Sequence, residues 1–152
     1  ALAMRGEGYT EEHVATTLDS GVLQPLFLSV VLWGDAFCEH MTPNRHVLID
    51  GFPRTVAEAV VLESALTFYE RNAVTIINLD TPEEIVRQRM VSRARKDDTM
   101  DSIEARLKWY REETLPVLEY FRTRPSTEVV TIDGTDSIEG VHAQILTALK
   151  LA

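Results

Sequence analysis

Apolar and polar positions follow two rhythms along this chain, and the changes of rhythm mark out its elements. Thr10–Ser20 has the spacing of a helix, which Thr10 is placed to cap and Gly21 to end. Pro25–His40 reads as a second helix, apolar at Leu26, Leu28, Val31, Leu32 and Phe37. His46–Asp50 is a short run with a Val-Leu-Ile centre, which predicts a strand. Val56–Arg71 returns to a helical pattern, and Ala73–Asp80, with Val74, Ile76, Ile77 and Leu79, has the composition of a buried strand. Pro82–Arg95 is helical. Asp101–Arg122 is a longer amphipathic helix that Pro116 should kink. Glu128–Asp133 gives a third strand and Ser137–Leu149 a closing helix.

Strands that are apolar throughout and separated by helices predict an α/β fold whose parallel sheet is covered on both faces. Three strands are few for such a sheet, and the chain opens on a polar stretch that leads into a helix. The expectation is therefore one domain over residues 1–152, with its N-terminal strand or strands lying upstream of Ala1.

Composition narrows the function. The 152 residues are 45% hydrophobic and 26% charged, as in ordinary globular proteins, and suffice for a real core. Leu26–Trp33, the longest apolar stretch, is far shorter than a membrane span, and Ala1–Tyr9 lacks the pattern of a signal peptide. One cysteine, Cys38, excludes an internal disulfide and suits a reducing, cytoplasmic setting; its simplest role is a small packed side chain. A net charge of −9 argues against nucleic acid as the main partner. Yet 12 of the 15 basic residues are arginines, and Arg87, Arg89, Arg93 and Arg95 crowd together. A planar guanidinium grips phosphate or carboxylate through two hydrogen bonds, so a small anionic ligand is one reading. The other is a solvated helix face laced with ion pairs. The histidines His13, His40, His46 and His142 show no metal-ligand spacing, and Trp33 and Trp109 are expected at packing contacts.

The sharpest signal is Asp50-Gly51-Phe52-Pro53-Arg54-Thr55, just past the C-terminal end of a predicted strand, where open α/β sheets bind ligands. A carboxylate there can orient water on a magnesium ion. Gly51 permits close backbone approach, Pro53 fixes a rigid turn that a cis peptide would suit, and Arg54 can clamp a phosphate. A plain strand-to-helix turn with a surface arginine would explain a bare Gly-Phe-Pro, but not the whole hexapeptide at this location.

This hexapeptide resembles the signature of the adenylate kinases and related nucleoside monophosphate kinases, and the resemblance extends over nearly the whole chain. Gly21-Val22-Leu23-Gln24-Pro25 is similar to the family's stretch along the base and ribose of the monophosphate. Arg89 and Arg93, four apart on one helix face, match its phosphate-facing pair. Arg95-Lys96-Asp97-Asp98 resembles the arginine and acidic pair that end the lid, and Arg106 the next phosphate arginine. Asp133-Gly134-Thr135-Asp136 resembles the loop that touches the adenine of the triphosphate.

The resemblance implies a P-loop NTPase-like three-layer α/β sandwich. It would carry a helical monophosphate-binding subdomain and following helix over about residues 1–45, a core over 46–92 and 107–152, and a very short lid over 93–98. The implied activity is transfer of the terminal phosphoryl group of ATP, with Mg²⁺ as cofactor, onto AMP by a monomer. Arg54, Arg89, Arg93, Arg95 and Arg106 would be catalytic. Val22, Leu23, Gln24, Gly51, Arg54, Glu58, Arg95 and Arg106 would bind the acceptor, Arg89, Arg93 and Asp136 would bind ATP, and Asp50 would face the metal. Chemistry supports the arginines independently, because phosphoryl transfer needs positioning and positive charge around the moving group more than a covalent nucleophile. Asp97 and Asp98 would hold these arginines by ion pairs or cap the following helix.

Three departures stand out. No Gly-x-x-x-x-Gly-Lys-[Ser/Thr] loop occurs, so that loop is expected upstream of Ala1, and these residues alone are expected to be inactive. Only Ala94 separates Arg93 from Arg95, leaving no room for a zinc-binding insertion. Glu58 stands where the family pattern has glutamine. An ionised carboxylate accepts but cannot donate, so it could serve guanine as well as adenine, or be an ordinary helix residue. A kinase for GMP, UMP or CMP, or a noncatalytic nucleotide-binding module, are the alternatives.

Overall fold

The computed structural model describes residues 8–19, 24–93 and 98–151. Its elements run α1 (Tyr9–Asp19), α2 (Leu26–His40), α3 (Val56–Phe68), β1 (Val74–Asp80), α4 (Glu83–Arg93), α5 (Met100–Trp109), a π-helical turn (Tyr110–Thr114), α6 (Leu115–Arg122), β2 (Thr127–Asp133) and α7 (Ile138–Ala148). The mixed α/β class and the parallel strand direction are as expected.

The helix starts follow from side chains that satisfy otherwise unpaired backbone N–H groups. Thr55 accepts a bond from the Glu58 amide, Thr99 from Ser102, and Ser137 from Gly140. At the far end of α3, Glu70 turns left-handed at φ 55°, and the Arg71 amide reaches back to the Leu66 carbonyl at 2.8 Å. This Schellman-type ending stops α3 before Arg71, the sequence-based end.

β1 and β2 pair in parallel from Val74↔Thr127 to Asp80↔Asp133. Ile76 and Val129, partners in this register, pack beneath Ala59 of α3 and Val117 and Phe121 of α6. Strand alternation sends Val130 and Ile132 to the opposite face, and α7 packs back on β2. Past the strand ends, Gly134 donates to the Asp80 carbonyl at 2.7 Å. A Cβ on Gly134 would fall 2.1 Å from Thr81 Oγ1, so this close approach requires glycine. A second cluster, Trp33, Phe37, Leu62 and Leu66, joins α2 to α3 and takes in Ile49 and Phe52.

Two expectations are corrected. His46–Asp50 runs without a ladder partner among the described residues, so the described sheet has two strands rather than three. Its composition suits a strand, but a strand is made by a hydrogen-bonded neighbour. Here His46–Asp50 and the facing residues Val74–Asn78 of β1 line a shared cavity of about 1120 Å³, and Leu48 is 94% exposed.

The second correction concerns Pro116. The long helix changes before it, over Tyr110–Thr114, where the Leu115 amide bonds to the Tyr110 carbonyl five residues back. Pro116 has no N–H to continue the ordinary ladder, and the widened turn absorbs that gap. Among the described residues, no helix is long and apolar enough to cross a membrane.

Candidate active site

The loop after His46–Asp50 is fixed at several points. Gly51 adopts φ 84°, where a side chain would be strained, and the Phe52–Pro53 peptide is cis. The Phe52 ring stacks on Trp33 at 5.5 Å and 11°, which ties the loop to α2. Arg54 donates from Nε to the Gly51 carbonyl at 2.6 Å, fixing the plane of its guanidinium group.

Arg54, Gly51, Asp50 and Arg106 all line the large cavity, together with Asn78, Ser102 and Tyr110. Asp50 lies exposed on its wall. Burial, with a smaller contribution from the charge of Asp80, pushes the Tyr110 hydroxyl above its ordinary pKa, so it stays a neutral hydrogen-bonding group.

Behind Arg106 sits an ion-pair triad. Arg93 Nε donates to Asp98 Oδ2 at 2.6 Å and Arg93 Nη2 to Oδ1 at 2.9 Å, a forked grip. Arg106 Nη1 donates to Asp98 Oδ1 at 2.7 Å. The Asp98 side chain is only 1% exposed. The Arg93 hydrogen bonds foremost, then that guanidinium's charge and the bonds and charge of Arg106, hold its carboxyl down at about 2 against the opposing effect of burial.

Of the two roles open to Asp98, the structure shows ion pairing, and Thr99 is the cap of α5. Within the arginine cluster of α4, Arg87 bonds Glu104 at 2.7 Å and Glu84 at 3.1 Å, so for it the solvated ion-pair reading holds. Arg89 turns to the other strand end, donating to the carbonyls of Gly134 at 2.7 Å and Thr135 at 3.4 Å. There Asp133 accepts from the Thr135 hydroxyl and amide, which hold its carboxyl below the usual range. Asp136 accepts from the Ser137 amide at 2.7 Å and from Gln144 at 3.3 Å.

The remaining candidates lie elsewhere. Gln24 donates to Thr17 at 2.7 Å. Glu58 is buried at 6% exposure and accepts from the Arg54 amide at 2.6 Å. Val22, Leu23 and Arg95 lie outside the described residues, as do Lys96 and Asp97. The structure thus brings together Asp50, Gly51, Arg54 and Arg106 at one cavity, joins Arg93 to them through Asp98, and sets Arg89 with Asp136 at the β2–α7 loop. Thr114, passed over in the sequence, donates to the Arg54 carbonyl at 3.1 Å. Its only signal was a proline two residues further on.

The sequence profile of a family described as "Adenylate kinase" matches residues 3–126. A protein named adenylate kinase from Corynebacterium urealyticum is 39% identical over 132 residues, which are 87% of this chain and 70% of that protein. Another adenylate kinase, from Cyanothece sp., is 36% identical over 94% of this chain and 74% of its own length. A uridylate kinase from Saccharomyces cerevisiae is 29% identical over 91% of this chain and 68% of that protein.

Proposed function

The chain belongs to the adenylate kinase family, whose members are nucleoside monophosphate kinases, and from that premise we propose that it moves the terminal phosphoryl group of Mg-ATP reversibly onto AMP. A phosphate oxygen of AMP forms the new P–O bond, the bond to the β–γ bridging oxygen breaks, and two ADP result. The observation that carries this reading is the shared cavity wall of Arg54 and Arg106, with Arg106 locked to Arg93 by the buried Asp98. Such donors are held in place before any substrate arrives, as stabilising charge on a moving phosphoryl group requires.

In this reading Arg54 grips the acceptor phosphate, and Arg106, Arg93 and Arg95 surround the transferred group. Val22, Leu23 and Gln24 flank the acceptor's base and ribose. Arg89 and Asp136 border the donor's adenine at the β2–α7 loop, with residues 93–98 as the lid and the helices of residues 1–45 as the acceptor subdomain. Asp50 fits a magnesium ion held mostly by nucleotide phosphates and water, a mode that needs only one or two carboxylates. The ion would neutralise charge on the phosphates. The protein works in this account as a cytoplasmic monomer.

A second acceptor, UMP, is favoured by the likeness to the yeast uridylate kinase. The test is kcat/KM for AMP, UMP, CMP and GMP with ATP as donor, measured on the full-length protein. AMP should rank first; a higher value for UMP or CMP would replace it.

A further inference from the structure

Arg54 sits on a loop rather than a helix or strand, yet phosphate recognition needs its guanidinium group placed to within a fraction of an ångström. Its Nε is committed to the Gly51 carbonyl, which leaves the two terminal nitrogens as forward donors. Its own peptide is held from both sides. The amide donates to Glu58 Oε2 at 2.6 Å, a short bond to a carboxylate buried at the start of α3. The carbonyl accepts from Thr114 Oγ1 at 3.1 Å, across 60 residues of sequence.

We infer that Glu58 and Thr114 form a clamp on the Arg54 peptide and are positioning residues for the acceptor phosphate. The inference rests on the reading of Arg54 given above. Thr114 stands where it does because of the π-helical turn. Lacking an N–H at Pro116, the chain widens over Tyr110–Thr114, and the last residue of that turn presents its hydroxyl to Arg54. The turn continues directly from α5, which carries Arg106. One rigid segment therefore holds Arg106 near one end and the Arg54 carbonyl at the other, which fixes the two arginines of the cavity relative to each other. Glu58 completes the clamp from α3 through its bond to the Arg54 amide.

The test compares Thr114→Val, Thr114→Ser and Glu58→Gln in the full-length protein. Loss of one neutral hydrogen bond at Thr114→Val should raise KM for the monophosphate about fivefold, with KM for ATP within about twofold of the parent. Thr114→Ser, which keeps the hydroxyl, should restore parental values. Glu58→Gln keeps an acceptor for the Arg54 amide and should leave the AMP-to-GMP preference within about twofold. A serine variant as impaired as valine, equal rises in both KM values, or a tenfold change of preference in Glu58→Gln would overturn the clamp. Amide hydrogen exchange at Arg54 judges it without catalysis. It should be slow in the parent and in Glu58→Gln, and about tenfold faster in Glu58→Ala; equal rates in all three would also overturn it. A parent that transfers no phosphoryl group would instead refute the functional reading, with the exchange result still deciding the clamp.

Discussion

The cavity is served by arginines held in two different ways. Arg93 and Arg106 converge on one buried carboxylate, Asp98, through bonds of 2.6–2.9 Å. Arg54 is held by uncharged carbonyl and hydroxyl groups and by a carboxylate that reaches only its backbone. The first arrangement uses charge to fix charge, and gives up part of the positive field for rigidity. The second fixes the main chain and, among the described residues, bonds the guanidinium group to a carbonyl rather than to an anion. A site that must both hold an acceptor and stabilise a moving phosphoryl group has use for both.

The strongest way to break the comparison is to remove one arginine from each side. Arg106→Ala and Arg54→Ala should each lower turnover by about a hundredfold or more, since each deletes a preorganised donor at the phosphates. Circular dichroism should show the fold retained. Near-parental turnover in either variant would take that residue out of the site.

A smaller effect distinguishes the charge-fixed side. Asp98→Asn keeps the shape but loses the anion shared by Arg93 and Arg106, and should cost about tenfold in turnover while leaving the monophosphate KM, set by Arg54, nearly unchanged. The same carboxylate makes a stability prediction. Its folded pKa of about 2 lies below the ordinary 3.8, so its contribution is complete above pH 4 and is lost as pH falls through 2. Urea midpoints measured from pH 5 to pH 2 should fall more steeply in the parent than in Asp98→Asn. Parallel curves would show that the triad does not stabilise the fold.

Much of this was legible in the sequence, for reasons that differ by residue. The helix starts at Val56 and near Ser137 were placed by local periodicity, which needs no tertiary information, whereas α5 starts at Met100 behind the Thr99 cap, one residue before the Asp101 that the pattern suggested. The Asp50–Thr55 turn was placed correctly because glycine admits a left-handed backbone that other residues resist, and proline fixes its own φ. His46–Asp50 has the composition of a strand but no ladder partner among the described residues, because composition is local and a partner is not. The π-helical turn escaped because a proline announces a disturbance without saying where the helix will absorb it. Composition alone leaves Arg87 and Arg93 alike; the resemblance set Arg93 apart and gave it Asp98 as a partner, and the fold places Arg87 with Glu84 and Glu104 on the surface. Glu58, read as a contact to a base or as an ordinary helix residue, is bonded to the backbone of the arginine beside it.

The central claim is that these arginines serve direct transfer between two nucleotides. Phosphorus NMR of the full-length protein with magnesium, ATP and AMP tests it most directly. The account predicts that ATP and AMP signals decline together while ADP grows at twice their rate, without inorganic phosphate. Release of inorganic phosphate in place of ADP gain from AMP, or no change in any signal, would contradict it.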